Sequence, residues 1–377
     1  MKRIAILGST GTIGQSCLKV VRNLGERFKV VSLAVNERTE ALADQILEFN
    51  PELVAVYNSK KAKELSKRFP SLQVEKEMEG LIAAACHPEV DIVVVAMDGT
   101  RALLPTSAAI DAGKNIALAT KEVLVSAGQI IMASVKQRGV SLIPIDSEHS
   151  AFMQCLRAGN TKEVKRAILT YSGGPLRDIS PEELENVTLE RALNHPKCRM
   201  GQKATIDSST AMNKGLEYIE ASWLFKIPPE KIEVMLHPEG VIHGLLEFED
   251  GSLIAQFASN DMAIPIQYAL TAPDRLGCSG ELLDFGRLNQ LSLTPYRPNG
   301  LNGLDLAKEA LRKGQSYPCY MNAANEVLVK RFIDGEIRWT EILQKLEKLL
   351  TNHRAGFIKT LDDVIAVDEQ ARKEAKK

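Results

Sequence analysis

Short, nearly continuous apolar runs alternate with amphipathic stretches through the first 145 residues. The runs Arg3 to Leu7, Lys29 to Val35, Glu52 to Asn58, Asp91 to Met97, Asn115 to Thr120 and Val140 to Ile145 read as strands. Between them, Ile13, Cys17, Val20, Val21 and Leu24 recur at helical spacing, and "TEALADQILEFN" and "AKELSKRF" are helical. Strands that are apolar throughout, rather than at every second position, are covered on both faces. Together with the intervening helices they predict an α/β architecture around a parallel sheet.

The pattern changes beyond residue 150. "DG" at Asp250-Gly251, between "LLEFE" and "SLIAQF", is a hairpin signal. Thr271 to Pro298 is rich in Pro, Gly and Leu and reads as a linker. "LDLAKEALRKG", "CYMNAANEVLVKRFIDG", "WTEILQKLEKLLTN" and "TLDDVIAVDEQARKEAKK" then predict four amphipathic helices packed as a small bundle.

Composition sets limits on this picture. At 377 residues the chain exceeds what one core usually serves, so two or three domains are expected. The 47 basic and 48 acidic side chains leave a net charge of -1, which gives no footing for a nucleic-acid partner. No stretch approaches the roughly 20 apolar residues that span a bilayer, and the apolar run at the N-terminus is too short for a signal peptide. The six cysteines form no CxxC pair, and scattered thiols fit a reducing, cytoplasmic compartment.

The first strand runs directly into "GSTGTIG". Gly8, Gly11 and Gly14 allow a tight turn that brings backbone close to a pyrophosphate, and the following helix start offers unpaired N–H groups. This is the opening of a nucleotide-binding βαβ unit. The end of the second strand should select the nicotinamide cofactor. An acid there suits the ribose 2′-hydroxyl of NAD, and an arginine suits the 2′-phosphate of NADP. Asn36, Glu37 and Arg38 supply one residue of each kind, and these residues alone leave the choice open.

Asp146 and Glu148 follow the last of these strands, and would point the same way if the extended conformation continued. Paired carboxylates repel unless a cation neutralises them, and magnesium commonly binds one or two such groups. A second patch lies in "IDSSTAMNKGLEYIEASWLF". Ser208, Ser209 and Thr210 are N-cap types before a helix, and Met212, Leu216, Ile219 and Trp223 form its core stripe. Asn213, Lys214 and Glu217 share another face, which suits Lys214 for a phosphate and Glu217 for a metal. Ser172-Gly173-Gly174 is either a plain turn or an anion nest. The loop carrying His195, Lys197, Arg199, Gly201 and Lys203 is either a solvated linker or a closing flap. His237 and His243 read as structural.

The stretches "ILGSTGTIG", "TKEVLVSAG", "PIDSEHSAF", "SGGPLRD", "HPKCRMGQK", "IDSSTAMNKGLEYIEASWLF", "HPEGVIHG" and "MNAANEV", in this order, resemble the 1-deoxy-D-xylulose 5-phosphate reductoisomerase family. The resemblance implies an α/β fold with an N-terminal Rossmann-type NADPH domain (1–146), a central α/β catalytic domain (147–271), a linker (272–297) and a C-terminal helical domain (298–377). It implies a homodimer acting on a phosphorylated ketose with NADPH and Mg²⁺, Mn²⁺ or Co²⁺. Metal ligands would be Asp146, Glu148 and Glu217, with Lys121, Glu148 and Glu217 catalytic. Substrate contacts would be Lys121, Ser147, Glu148, Ser172, His195, Ser208, Asn213, Lys214 and Glu217. The cofactor would meet Thr10, Gly11, Thr12, Ile13, Asn36, Arg38, Thr120, Glu122 and Gly201. Arg38 is the expected partner of the 2′-phosphate. Residues 195–200 correspond to the family's flap, with Cys198 where a tryptophan is usual. Thr120 stands in place of asparagine, Tyr171 in place of a small residue, and "NER" in place of Gly-Lys/Arg-Asn. The competing classes are another NADP-dependent dehydrogenase, which would need a nucleophilic cysteine, and a dinucleotide-binding regulator, which would need a partner surface.

Overall fold

The apolar runs of the N-terminal part form β1 (Lys2–Leu7), β2 (Phe28–Val35), β3 (Leu53–Val56), β5 (Ile92–Val95), β6 (Asn115–Leu118) and β7 (Leu142–Pro144), joined by a seventh strand, β4 (Gln73–Lys76). This computed structural model describes residues 1–196, 201–298 and 300–377. The strand order is β4-β3-β2-β1-β5-β6-β7, and each pairing is parallel. The chain winds outward from β1 to β4, then returns to the other side of β1. The order therefore reverses between β1 and β5, the place where doubly wound sheets bind ligands. Ile4, Ile6, Leu33, Val54, Val56 and Val94 of the strands pack with Cys17, Leu18 and Val21 of the helix Thr12–Leu24 and with Leu42 and Ile46 of the helix Thr39–Phe49.

The chain divides into two units. The first comprises Met1–Val123, Ile131–Ser150 and Asp261–Glu281. Its last segment carries the helix Ala263–Thr271, whose Ala263, Ile266, Ala269 and Leu270 complete the core of the parallel sheet.

The second unit comprises Leu124–Ile130, Ala151–Asn260 and Leu282–Lys377. It contains β8 (Val164–Tyr171), β9 (Ile232–Leu236), β10 (Ile242–Phe248), β11 (Leu253–Phe257) and β12 (Thr294–Pro295), in the order β11-β10-β8-β9-β12. Only β8 and β9 are parallel. The expected hairpin joins β10 to β11, with Gly251 at φ 84°. The helix Met212–Phe225 buries Leu216 and Ile219 against Tyr320, Met321 and Leu328. The four predicted C-terminal helices are Gly303–Lys313, Tyr317–Ile333, Trp339–Asn352 and Leu361–Ala375. Among the described residues no helix is long and apolar enough to cross a membrane.

Candidate functional site

In the first unit the glycine turn follows β1 at the reversal of strand order. Gly8 has φ +90°, and a Cβ there would lie 2.2 Å from the Ala96 carbonyl oxygen. Only glycine fits a backbone in that region pressed so close to its neighbour. Gly11 caps the helix Thr12–Leu24 without any side-chain hydrogen bond, so Thr12, Ile13 and their neighbours present the helix N-terminus to a ligand. Ser9 fixes the turn: its hydroxyl donates to Gln45 Oε1 at 2.7 Å, and Gln45 Nε2 returns to the Ser9 carbonyl at 3.0 Å. Thr10 is buried, and its carbonyl accepts a long bond, 3.5 Å, from Arg38 Nη1. Asn36 and Arg38 are exposed just beyond β2. Thr120 is buried, and its hydroxyl donates to the Met97 carbonyl at 2.6 Å. Glu122 opens the helix Glu122–Arg138, directly after its N-cap Lys121.

The carboxylate pair sits in the same unit, but the chain does not stay extended there. A helix, Ser147–Cys155, begins at once, and the Asp146 carbonyl accepts the Ser150 N–H at 2.8 Å. Asp146 thus occupies the N-cap, a place its short carboxylate favours, and Glu148 lies in the first turn. Helix-start geometry, and not strand alternation, therefore sets the directions of this pair. Lys121 Nζ lies 2.5 Å from Asp146 Oδ2, and both side chains are largely buried. His149, fully buried, places Nδ1 3.8 Å from the same oxygen. Ser147 Oγ donates to Glu148 Oε2 at 2.5 Å. Burial raises the Asp146 carboxyl above its ordinary range; the Lys121 ammonium opposes this, and the charge of Glu148 adds to it. Adjacent carboxylates in low-dielectric surroundings gain from a nearby cation, and oxygen donors suit a hard divalent ion. These residues fit the expected metal.

The second unit holds the remaining candidates. Glu217 is buried, with 1% of its side chain exposed, and ion-pairs with Lys214, itself 2% exposed. Asn213 Nδ2 also donates to Glu217. The predicted face of the helix Met212–Phe225 therefore exists, but inside the protein rather than on its surface. Ser208 and Ser209 are not N-cap residues. They end a separate helix, Gln202–Ser209, and the next helix is capped by Ala211 in the left-handed conformation at φ 58°. Gly201 caps the start of Gln202–Ser209.

Ser208 is held from two sides. Tyr171, the last residue of β8, donates its phenol to the Ser208 carbonyl at 2.6 Å. Burial, with smaller contributions from Tyr296 and Glu217, raises the Tyr171 pKa well above that of a free phenol, so it stays a donor. Asp207 anchors the same helix, accepting from Asn325 Nδ2 at 2.8 Å and pairing with Lys203 at 2.8 Å. After β8, Ser172 Oγ lies 3.2 Å from His195 Nε2 and accepts the Gly174 N–H at 3.2 Å. Burial lowers the His195 pKa, which favours the neutral ring. His237 is structural, as expected: fully buried, it accepts the N–H groups of Val241 and Ile242 at 3.1 and 3.0 Å. Lys197, Cys198, Arg199 and Met200 of the expected flap lie outside the described residues.

Sequence reasoning passed over Arg101 and Asp207. Arg101 reaches the β2 loop only through the fold. Asp207 lies within the quoted "IDSST", where the serines drew attention to hydroxyls rather than to the carboxylate that anchors them.

Comparisons with known proteins find relatives along nearly the whole chain. A family model described as 1-deoxy-D-xylulose 5-phosphate reductoisomerase matches residues 4–128. Models of that enzyme's C-terminal domain match residues 142–225 and 257–374. The 1-deoxy-D-xylulose 5-phosphate reductoisomerase of Protochlamydia amoebophila is 52% identical over 375 residues, covering 100% of this chain and 98% of that protein. The Chlamydia caviae enzyme of the same name is 48% identical over 374 residues, covering 99% and 98%. Among solved structures, the Zymomonas mobilis enzyme in complex with NADPH aligns with a TM-score of 0.91 at 39% identity, covering 99% of this chain and 98% of that one. A reductoisomerase in complex with NADPH, fosmidomycin and magnesium also aligns at 0.91, with 34% identity and coverage of 100% and 98%. This chain belongs to the 1-deoxy-D-xylulose 5-phosphate reductoisomerase family.

Proposed function

We propose that this chain converts 1-deoxy-D-xylulose 5-phosphate to 2-C-methyl-D-erythritol 4-phosphate by rearrangement followed by reduction with NADPH, in the non-mevalonate route to isoprenoid precursors. The observation that carries this reading is a family match that runs nearly end to end, from residue 4 to residue 374 in three segments. In this reading Asp146, Glu148 and Glu217 are the ligands of one divalent ion. Their all-oxygen donor set and the burial of Glu217 support that assignment. Such an ion supplies Lewis-acid polarisation of the ketone and of a neighbouring hydroxyl oxygen.

The protein's own groups do the rest. Lys121, positioned at the start of its helix, neutralises charge developing on a substrate oxygen. Ser172, Ser208, Asn213 and Lys214 hold the phosphate end, with neutral His195 as a hydrogen-bonding neighbour of Ser172. Ser147 orients Glu148 through their hydrogen bond. Fixing the phosphate lets remote binding energy serve orientation at the reacting carbons. The turn Thr10–Ile13, with Asn36, Arg38, Thr120, Glu122 and Gly201, receives NADPH, whose nicotinamide supplies the hydride.

A homodimer and a cytoplasmic location complete the reading. β11 is an edge strand with Leu253 and Phe257 exposed, and Phe257 meets exposed Phe285 edge-on at 6.0 Å. Apolar edges of this kind are usually covered, here by a second copy. The described cysteines are all free thiols, as a reducing compartment requires.

The test is to follow NADPH absorbance with purified chain and deoxyxylulose phosphate, with and without chelator. Turnover should vanish in chelator and return with added Mg²⁺ or Mn²⁺. Oxidation that needs no divalent ion would remove the metal from the scheme, and none under any condition would end the proposal.

A further inference from the structure

We propose that Arg101 reads the 2′-phosphate of NADPH together with Arg38, and so sets this enzyme's preference for NADPH over NADH. The proposal deepens the cofactor reading above and rests on it.

Asn36 is the first residue beyond β2, the position from which dinucleotide folds sense the ribose 2′ substituent. The local sequence is ambiguous there, since Glu37 suits a hydroxyl and Arg38 a phosphate. The fold brings in a third group. Arg101 lies in the short 3₁₀ turn Gly99–Ala102 that follows β5. β5 adjoins β1 on the side opposite β2, so the loops after β5 and β2 flank the glycine turn. From that side the Arg101 guanidinium reaches the β2 loop. Its Nη1 donates to Asn36 Oδ1 at 3.4 Å, and its central carbon lies 5.3 Å from the centroid of the Tyr57 ring, just past β3. Arg38 reaches the other way, to the Thr10 carbonyl in the glycine turn at 3.5 Å.

The partners of these two arginines are the informative part. Several other arginines of the unit pair with acids, as Arg3 does with Asp91 and Arg22 with Glu48, although exposed Arg27 does not among the described residues. Among the described residues neither Arg38 nor Arg101 forms an ion pair. Arg101 is held by an amide and an aromatic face, and Arg38 by a carbonyl. Neutral holders orient a guanidinium without neutralising it, and its planar fork matches phosphate oxygens. Asn36 and Tyr57, the two groups that hold Arg101, also line a cavity of about 680 Å³, whose wall includes Lys60, Glu77 and Glu79 as well. Arg38 and Arg101 thus bring two guanidinium groups without ion pairs to the loop that senses the 2′ substituent, and their planar forks suit a phosphate better than a hydroxyl.

The experiment measures dissociation constants by calorimetry for NADPH, NADH and 2′,5′-ADP on the full-length chain, on Arg101→Ala and on Arg101→Lys. Arg101→Ala should weaken NADPH and 2′,5′-ADP by roughly tenfold and leave NADH within about twofold. Arg101→Lys should recover part of the loss, because it keeps the charge without the fork. An equal loss of NADPH and NADH would make Arg101 a loop support and overturn the proposal, as would unchanged NADPH affinity. Wild-type protein that prefers NADH, or binds neither dinucleotide, would overturn the cofactor reading and this proposal with it.

Discussion

The Tyr171 phenol and the Ser208 carbonyl lie 2.6 Å apart, joining the end of β8 to the last turn of the helix Gln202–Ser209. Gly174 backs onto the same carbonyl: with φ +71°, a Cβ there would lie 2.5 Å from Ser208 O. The strand end, the glycine turn and the serine are thereby held at one spacing. Tyr171→Phe deletes the bond and keeps the ring. It should cost about 1 kcal/mol in thermal stability and raise KM for the ketose phosphate several-fold, with kcat nearly unchanged. A fall in kcat with constant KM would place Tyr171 outside phosphate positioning.

Glu217→Gln keeps the size of the side chain and removes its charge. NADPH affinity should survive, while turnover should drop by about a thousandfold or more if Glu217 holds the metal as proposed. A dinucleotide titration beside steady-state kinetics separates the outcomes. Loss of NADPH binding as well would show that the residue is structural.

Gly8→Ala forces a side chain against the Ala96 carbonyl at a backbone angle that alanine avoids. A stability loss of about 2 kcal/mol and a marked weakening of dinucleotide binding should follow. Wild-type melting and affinity in this variant would contradict the turn geometry.

His353 predicts a pH dependence. It stacks on Tyr320 at 3.9 Å and shares a 2.8 Å hydrogen bond with Ser316. Burial lowers its pKa from the ordinary 6.5; Glu374 opposes this and Lys313 adds to it. The unfolded chain therefore binds a proton at higher pH than the folded one. The contribution to stability is fully present above about 6.5 and is lost as pH falls through the lower folded value. Melting curves between neutral and mildly acid pH should show a shallower decline for His353→Gln than for wild type. Parallel declines would mean that other groups dominate.

Much of the first unit was legible because parallel strands buried on both faces read as apolar runs. β4 was not: "QVEK" is a polar strand at the sheet edge, half in water, and carries no such signal. The hairpin at Asp250-Gly251 and the four terminal helices followed from local turn chemistry and amphipathic spacing. The helix Gln202–Ser209 went unread because "QKATIDSS" is rich in residues that favour caps, and its stability comes from Asp207 meeting Asn325, 118 residues away. Residues 261–281 fold into the first unit, a return of the chain that local periodicity does not encode. In the candidate site, residue types were legible and their burial was not. Lys214 and Glu217 look like an ordinary surface pair in sequence and are almost wholly enclosed.

Two of the expected metal ligands are each matched to an ammonium within their own unit: Asp146 to Lys121, Glu217 to Lys214. Each carboxylate thus has its own ammonium counter-ion. If these carboxylates hold a divalent ion, as proposed, that ion would compete with the two lysines, whose ammonium groups would then be freer to meet the anionic ends of a substrate. Charge balance then links the two binding events, so metal loading should tighten phosphate-ester binding even before any chemistry begins.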